Sequence, residues 1–96
     1  MTRKELLAKA TTIVTGERDA QYGGPEDNFN RIADLWNAYL GEPDRIGPED
    51  VAVMMMLLKV ARLAASEYKS MDSWVDIAGY AACGAEIASN YTEVRE

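Results

Sequence analysis

Charged side chains interrupt the apolar pattern of two segments in the second half of the chain. Lys59 and Arg62 are three residues apart, and Asp72, Asp76 and Tyr80 follow at intervals of four. On helices, both spacings place the side chains on one face. Carboxylates one turn apart can share Mg²⁺, while lysine and arginine bind phosphate oxygens. The pattern therefore favours either a site for a phosphorylated ligand or a set of interhelical salt bridges.

A second group of polar residues, Arg18, Asp19, Tyr22 and Asn28, surrounds a pair of glycines that begins at Gly23. Glycine lets the backbone approach a ligand closely, and binding residues are frequent in such loops. Asn28 lies near a predicted helix N-terminus, where free N–H groups favour anions. The alternatives are a capped turn, in which Arg18 pairs with Asp19 and Tyr22 covers the core, and a capping role for Asn28.

The composition limits the chemistry that these residues can perform. The 96 residues include no histidine and a single cysteine, Cys83. These counts exclude histidine-based nucleophile pairs, His–Cys zinc sites and an internal disulfide. The net charge of −6 argues against binding to duplex nucleic acid, which requires a basic surface. Any catalysis must therefore depend on carboxylates, lysine, arginine, tyrosine or a bound metal ion.

The location of the protein is predicted from its apolar runs. The N-terminus, beginning at Met1, lacks the apolar stretch of a signal peptide. The longest apolar run, from Val51 to Leu58, is too short to span a bilayer. We therefore expect a cytoplasmic protein without a membrane partner.

Helical periodicity predicts four helices over about residues 2–15, 27–40, 48–65 and 71–90, which would form one compact all-α domain over residues 1–96. Thr2 followed by Glu5 is the capping-box pattern for the first helix. Pro48 suits the first position of the third helix, and Ser70 suits the N-cap of the fourth. The short connection between the third and fourth helices implies that these two helices pack antiparallel.

The periodicity also predicts which side chains are buried. We expect the third helix to be the buried centre, because residues 51–58 are apolar on every side. Trp36 and Trp74 are expected in the core. The buried side of the second helix is predicted to consist of Phe29, Ile32, Ala33, Trp36, Tyr39 and Leu40.

Small residues predict close packing of the fourth helix. These residues are Gly79, Ala81, Ala82, Gly84, Ala85 and Ala88. They would let this helix approach either the third helix or the same helix of a second subunit. Because a domain of this size buries a modest share of its surface, a homo-oligomer is expected.

Two stretches of the sequence together resemble a family of small phage and prophage proteins. The first reads Glu17-Arg18-Asp19-x-x-Tyr22-Gly23-x-Pro25-x-x-Asn28-Phe29-x-x-Ile32-Ala33-x-Leu35-Trp36. The second includes Asp50-Val51-Ala52, Lys59-Val60-Ala61-Arg62 and Asp72-Ser73-Trp74-Val75-Asp76-Ile77-Ala78-Gly79-Tyr80. That family resembles, at a distance, the MazG-like all-α nucleoside triphosphate pyrophosphatases. The resemblance implies a helical bundle, Mg²⁺ dependence and cleavage of a nucleotide between its α and β phosphates, in the host cytoplasm if the protein is phage-encoded.

The resemblance also implies roles for individual residues. Asp72 and Asp76 would hold Mg²⁺, Lys59 and Arg62 would neutralise the phosphates, and Lys59 and Asp76 would take part in catalysis. Further contacts to the nucleotide would come from Arg18, Asp19, Tyr22, Asn28 and Tyr80. MazG-like enzymes carry a Glu-Glu-x-x-Glu motif where this chain has Lys59-x-x-Arg62. A non-catalytic protein that sequesters a nucleotide, and a structural or protein-interaction bundle, are therefore the alternatives.

Overall fold

The computed structural model of the chain describes residues 1–16 and 23–90. These residues form four helices: α1 (Arg3–Val14), α2 (Pro25–Leu40), α3 (Pro48–Ala65) and α4 (Met71–Ser89). The all-α four-helix prediction is confirmed. α2 begins two residues earlier than expected, because Pro25 occupies its first turn. None of the helices in the described ranges has both the length and the apolar character needed to cross a bilayer.

Local sequence signals determine where the helices begin and end. The Thr2 hydroxyl accepts a hydrogen bond from the Glu5 N–H, and the Glu5 carboxylate accepts one from the Thr2 N–H. The Ser70 hydroxyl accepts from the N–H of Ser73 at the start of α4. α2 ends at Gly41, whose φ of 71° lies in the left-handed region that glycine adopts without strain. The predicted caps of α1 and α4 are confirmed.

α4 is the helix that all the others contact. It packs most extensively against α3, and it also contacts α1 and α2. A Cβ atom on Gly84 would lie 2.9 Å from the Cβ of Ala52 in α3, and one on Gly79 would lie 3.0 Å from Val14 Cγ1 in α1. The small residues were predicted to pack either against the third helix or against a second subunit. Gly84 packs against the third helix, α3, and Gly79 allows the close approach of α1.

The prediction that α3 is buried on every side is wrong. Val51 and Ala52 are buried, but Val53 is 49% exposed, Leu57 61% and Val60 47%. α3 contacts α2 and α4, which cover only one side of it. Apolar side chains of α3 therefore lie on its exposed surface as well as on the surface that the described helices cover.

The prediction for α2 is correct at its N-terminal end and wrong at its C-terminal end. Phe29 and Ala33 are buried, and the predicted core position of Trp36 is confirmed by its packing against the same cluster. Tyr39 is 90% exposed and Leu40 is 52% exposed. The inner position in this last turn belongs to Asn37, four residues after Ala33, as the helical repeat requires.

The core prediction for Trp74 is also wrong. Trp74 is 39% exposed, and its indole N–H donates to the Tyr68 carbonyl oxygen over 2.9 Å. Glu67 and Tyr68 have positive φ values of 55° and 66°, which side-chain-bearing residues rarely adopt. Trp74 therefore lies over the α3–α4 turn and helps to hold its backbone, because an indole needs a partner for its N–H where it packs.

Candidate functional site

A cavity of about 140 Å³ lies where the four helices meet. α1 contributes three lining residues, α2 four, α3 two and α4 five. An engineered apolar cavity of about 150 Å³ is known to bind benzene, so this space matches a single aromatic ring. The cavity is lined by Ala10, Ile13, Val14, Gly23, Pro25, Asn28, Phe29, Ile32, Val51, Met55, Val75, Asp76, Gly79, Tyr80 and Cys83.

Two glycines of α4 allow neighbouring helices to approach it closely. Gly79 allows α1 to approach α4 at Val14, and Gly84 allows α3 to approach α4 at Ala52. The Phe29 and Tyr80 rings, which both line the cavity, lie 6.1 Å apart with a tilt of 39°. Tilted aromatic pairs at this separation are favourable. The rings therefore form a stable apolar wall.

Three polar side chains line the otherwise apolar cavity: Asn28, Asp76 and Tyr80. All three are half-buried. Neither the Asn28 amide nor the Tyr80 hydroxyl makes a hydrogen bond with any residue in the described ranges. Polar groups of this kind can bond a ligand without first losing a protein partner. The sequence prediction placed all three residues at the site, and the structure brings them together.

Lys59 and Asp76 form an ion pair between α3 and α4. Lys59 Nζ lies 2.9 Å from Asp76 Oδ2, and the two side chains are 14% and 33% exposed. The salt-bridge alternative is therefore observed for this pair. Because Asp76 also lines the cavity, the pair places an ammonium group close to the cavity wall. The same contact can serve both packing and ligand binding.

The outer charged residues of the predicted site lie elsewhere. Arg62 and Asp72 are exposed. Neither makes an ion pair with another residue of the part of the chain that the structure describes. Of the four charged residues, only Asp76 lines the cavity, and Lys59 reaches its wall through the ion pair with Asp76.

The predicted Mg²⁺ ligands, Asp72 and Asp76, do not form a metal centre by themselves. Asp72 is exposed, and the Asp76 carboxylate is already paired with a positive charge. Within residues 1–16 and 23–90, no group of three or more His, Cys, Asp or Glu side chains could hold a metal ion. Because Mg²⁺ is usually held by one or two carboxylates together with substrate phosphates, the binding of Mg²⁺ stays a prediction.

Three predicted site residues, Arg18, Asp19 and Tyr22, lie outside the described residues. Their part in the site stays a prediction. Gly23, which follows them in sequence, lines the cavity, as does Val14 at the end of α1.

The apolar residues that line the cavity were not predicted as site residues. Ile13, Met55, Val75 and Cys83 line the cavity, but each was indistinguishable from an ordinary core residue in the sequence. A helical pattern identifies the face that a side chain occupies, whereas a cavity depends on how tightly several faces meet. Met55 on α3 carried no signal beyond its apolar character.

Comparison with known proteins identifies relatives among phage proteins. The Gene 55 protein of Mycobacterium phage L5 is 49% identical over 76 residues, covering 79% of this chain and 47% of that protein. The Gene 55 protein of Mycobacterium phage D29 is 41% identical over 80 residues, covering 83% of this chain and 51% of that protein. The chain thus spans about half the length of these curated relatives. No solved structure matches the chain.

These relatives confirm the predicted resemblance to phage proteins. Their names make no link to the MazG-like pyrophosphatases, so that part of the resemblance stays a prediction. Residues 5–88 match the family described as Domain of unknown function (DUF6378). This match covers most of the chain, from the first turns of α1 to the end of α4. The chain belongs to the DUF6378 family.

Proposed function

We propose that this protein binds a nucleotide, with the base in the cavity between the four helices. The observation that carries the proposal is a space of about 140 Å³ with aromatic walls and a few polar groups. Binding sites for small molecules typically combine mostly apolar walls with a small number of polar groups that fix orientation. The Phe29 and Tyr80 rings would contact the face of the base, as aromatic side chains do in many base-binding proteins.

The polar side chains of the cavity suit the edge of a base. The Asn28 amide offers donors and an acceptor, and the Tyr80 hydroxyl offers one donor and acceptor sites. Both groups are without a hydrogen bond to the described residues. A ligand that bonds them gains interactions at little cost in broken protein contacts. An entirely apolar ligand would leave them unpaired, which is unfavourable.

A phosphate beside the cavity would share the ammonium group of Lys59 with the Asp76 carboxylate. The pairing with Asp76 fixes the ammonium group at 2.9 Å and keeps it beside the cavity wall. A lysine held in this way loses little side-chain freedom when an anion approaches. The proposal therefore assigns Lys59 to the phosphate and the cavity to the base.

The sequence resemblance to MazG-like proteins supports a nucleotide as the ligand class. Hydrolysis is the finer prediction of that resemblance, and it would require a metal ion, for which the described residues offer no group of three or more His, Cys, Asp or Glu ligands. We therefore propose that the protein binds a nucleotide without cleaving it. Such a protein would sequester the nucleotide, which is one of the alternatives that the sequence left open.

The test is calorimetric titration with a panel of nucleoside mono-, di- and triphosphates, in Mg²⁺ and in excess chelator. We expect at least one nucleotide to bind, to be recovered intact and to keep its affinity in chelator. A ligand at 100 times its Kd should stabilise the fold by about 2.7 kcal/mol in thermal unfolding. Failure of the whole panel to bind folded protein overturns the proposal, and pyrophosphate release with Mg²⁺ replaces it with the enzymatic prediction.

A matched pair of variants locates the site. Asn28→Ala removes an amide from the cavity, and Asn30→Ala removes an exposed amide from the same helix. We expect Asn28→Ala to weaken binding roughly tenfold, because one hydrogen bond is worth about 1 kcal/mol or somewhat more. Asn30→Ala should leave the affinity unchanged. Equal effects of the two substitutions would place the ligand elsewhere.

A further inference from the structure

The size of the cavity between the four helices limits which bases it can enclose. Its volume is about 140 Å³, and an engineered apolar cavity of about 150 Å³ binds benzene. Benzene is a single six-membered ring, as the ring of a pyrimidine base is, whereas a purine base has a five-membered ring fused to the first. A pyrimidine therefore uses most of this space, and a purine needs room for three more ring atoms.

The walls of the cavity resist the entry of a second ring. Three helices each contribute a β-branched side chain: Ile13 on α1, Val51 on α3 and Val75 on α4. Val51 and Val75 are fully buried, and Ile13 is half-buried. Such side chains have one strongly preferred rotamer in a helix, and extra atoms in a packed site force them away from it. Enlarging this space is therefore unfavourable.

The polar groups of the cavity do not separate the two classes of base. The Asn28 amide carries both a donor and an acceptor, and the Tyr80 hydroxyl can donate or accept. Pyrimidines and purines alike present donors and acceptors along their edges. Hydrogen bonding therefore favours a base of either class, and the volume of the cavity is what distinguishes them.

We propose that the cavity selects nucleotides with a pyrimidine base over those with a purine base, and that Ile13 and Met55 set the limit on size. This inference rests on the proposed function, because the base must enter the cavity for its size to matter. Replacing either residue by alanine removes three side-chain atoms from the lining, the same number by which the two ring systems differ. Either substitution should therefore make room for a purine.

Calorimetric titration compares cytidine, uridine and thymidine nucleotides with adenosine and guanosine nucleotides of the same sugar and equal phosphate number. Matched phosphates leave the base as the only difference. We expect pyrimidine nucleotides to bind at least about tenfold more tightly, the discrimination that one methylene gives in an apolar pocket. Equal or tighter binding of purine nucleotides overturns this inference and leaves the proposed function standing. Failure of every nucleotide to bind overturns both.

A matched set of variants tests whether size causes the preference. Leu6→Ala removes as many carbons as Ile13→Ala, from a half-buried position of α1 outside the cavity lining. Ile13→Ala and Met55→Ala should each lower the preference for pyrimidines about tenfold, toward equal binding, and Leu6→Ala should leave it unchanged. A preference that neither enlarging variant lowers, or that Leu6→Ala lowers equally, overturns the inference. Far-ultraviolet circular dichroism verifies that each variant remains folded.

Discussion

At the scale of single residues, the Lys59–Asp76 pair connects the packing of the protein to its proposed function. Its 2.9 Å contact joins α3 to α4, and its carboxylate lines the cavity. An exposed ion pair contributes less than about 1 kcal/mol, whereas breaking a buried one costs several. With side chains 14% and 33% exposed, this pair lies between the two regimes.

Lys59→Met should lower the free energy of unfolding by about 1–2 kcal/mol, because it leaves the Asp76 carboxylate half-buried without its cation. Asp76→Asn keeps the side-chain shape and removes the charge. Chemical denaturation of both single variants and the double variant measures the coupling, which we expect to be about 1 kcal/mol. Additive effects of the two substitutions would show that the contact contributes nothing to stability.

Glu5 provides a pH-dependent signal at the start of α1. A hydrogen bond from the Thr2 backbone N–H, and to a lesser degree the Thr2 side chain, lowers the pKa of the Glu5 carboxyl. A carboxyl whose pKa is lowered by folding stabilises the folded state above its unfolded pKa. That contribution is lost as the pH falls through the folded pKa. Acid should therefore loosen the first turn of α1.

An NMR titration of the Glu5 carboxyl checks this expectation. Its midpoint should lie below that of an ordinary glutamate. Thr2→Ala should raise the midpoint only partway, because the backbone N–H remains available to the carboxylate. An unshifted midpoint in the wild-type protein would contradict the capping geometry.

At the scale of the helices, the helix caps were predicted correctly, because they depend on local sequence rules. The Thr2–Glu5 capping box and the Ser70 cap follow from a few neighbouring residues, and both are present. Burial depends on which helices surround a segment, and the sequence does not contain that information locally. Tyr39 and Leu57 satisfy an apolar pattern, yet both are exposed because no described helix covers them.

Asn37 shows the opposite error, a polar residue on a buried face. Its side-chain amide donates to the Ile46 carbonyl oxygen, and its side-chain oxygen accepts from the Ile46 N–H, both over 2.9 Å. The two bonds hold the α2–α3 connection against α2. A buried polar group is tolerated when its hydrogen bonds are satisfied, as they are here. This pairing could not be predicted from local sequence rules, because nine residues separate the partners.

Asn37→Asp should destabilise the fold by about 2–3 kcal/mol, because a carboxylate would replace the donor that faces the Ile46 carbonyl oxygen. Asn30→Asp, at an exposed position of the same helix, is the matched control and should change stability by less than about 0.5 kcal/mol. Chemical denaturation measures both. Equal stability of the two variants would contradict the buried position of Asn37.

At the scale of the whole molecule, the four described helices leave a cavity that matches one aromatic ring, and one apolar side of α3 remains exposed. Among the described residues, the largest fully buried side chains are Ile87, Val51 and Val75. A domain of this length buries a limited share of its surface, and a bound ligand would bury more. We therefore expect a ligand in the cavity to stabilise the fold.

The shared face of Asp76 and Tyr80 on α4 was predictable from their spacing of four residues, whereas spacing did not predict that Asn28 on α2 lines the same cavity. The cavity itself was not predictable, because it exists only where side chains from four helices fail to meet. Spacing predicted that Lys59 and Arg62 share a face, but Lys59 is paired beside the cavity while Arg62 is exposed. The two residues differ in how deeply they lie between the packed helices, and this difference cannot be predicted from the sequence alone.

The central claim is that an aromatic base occupies the space between the four helices. Methyl NMR during titration with the best-binding nucleotide of the panel tests it most directly, through Ile13 on α1, Met55 on α3 and Val75 on α4. We predict ring-current shifts of all three methyl groups that saturate together, and none for Leu35 on the outer side of α2. Saturable binding that leaves these three signals unchanged would contradict the account.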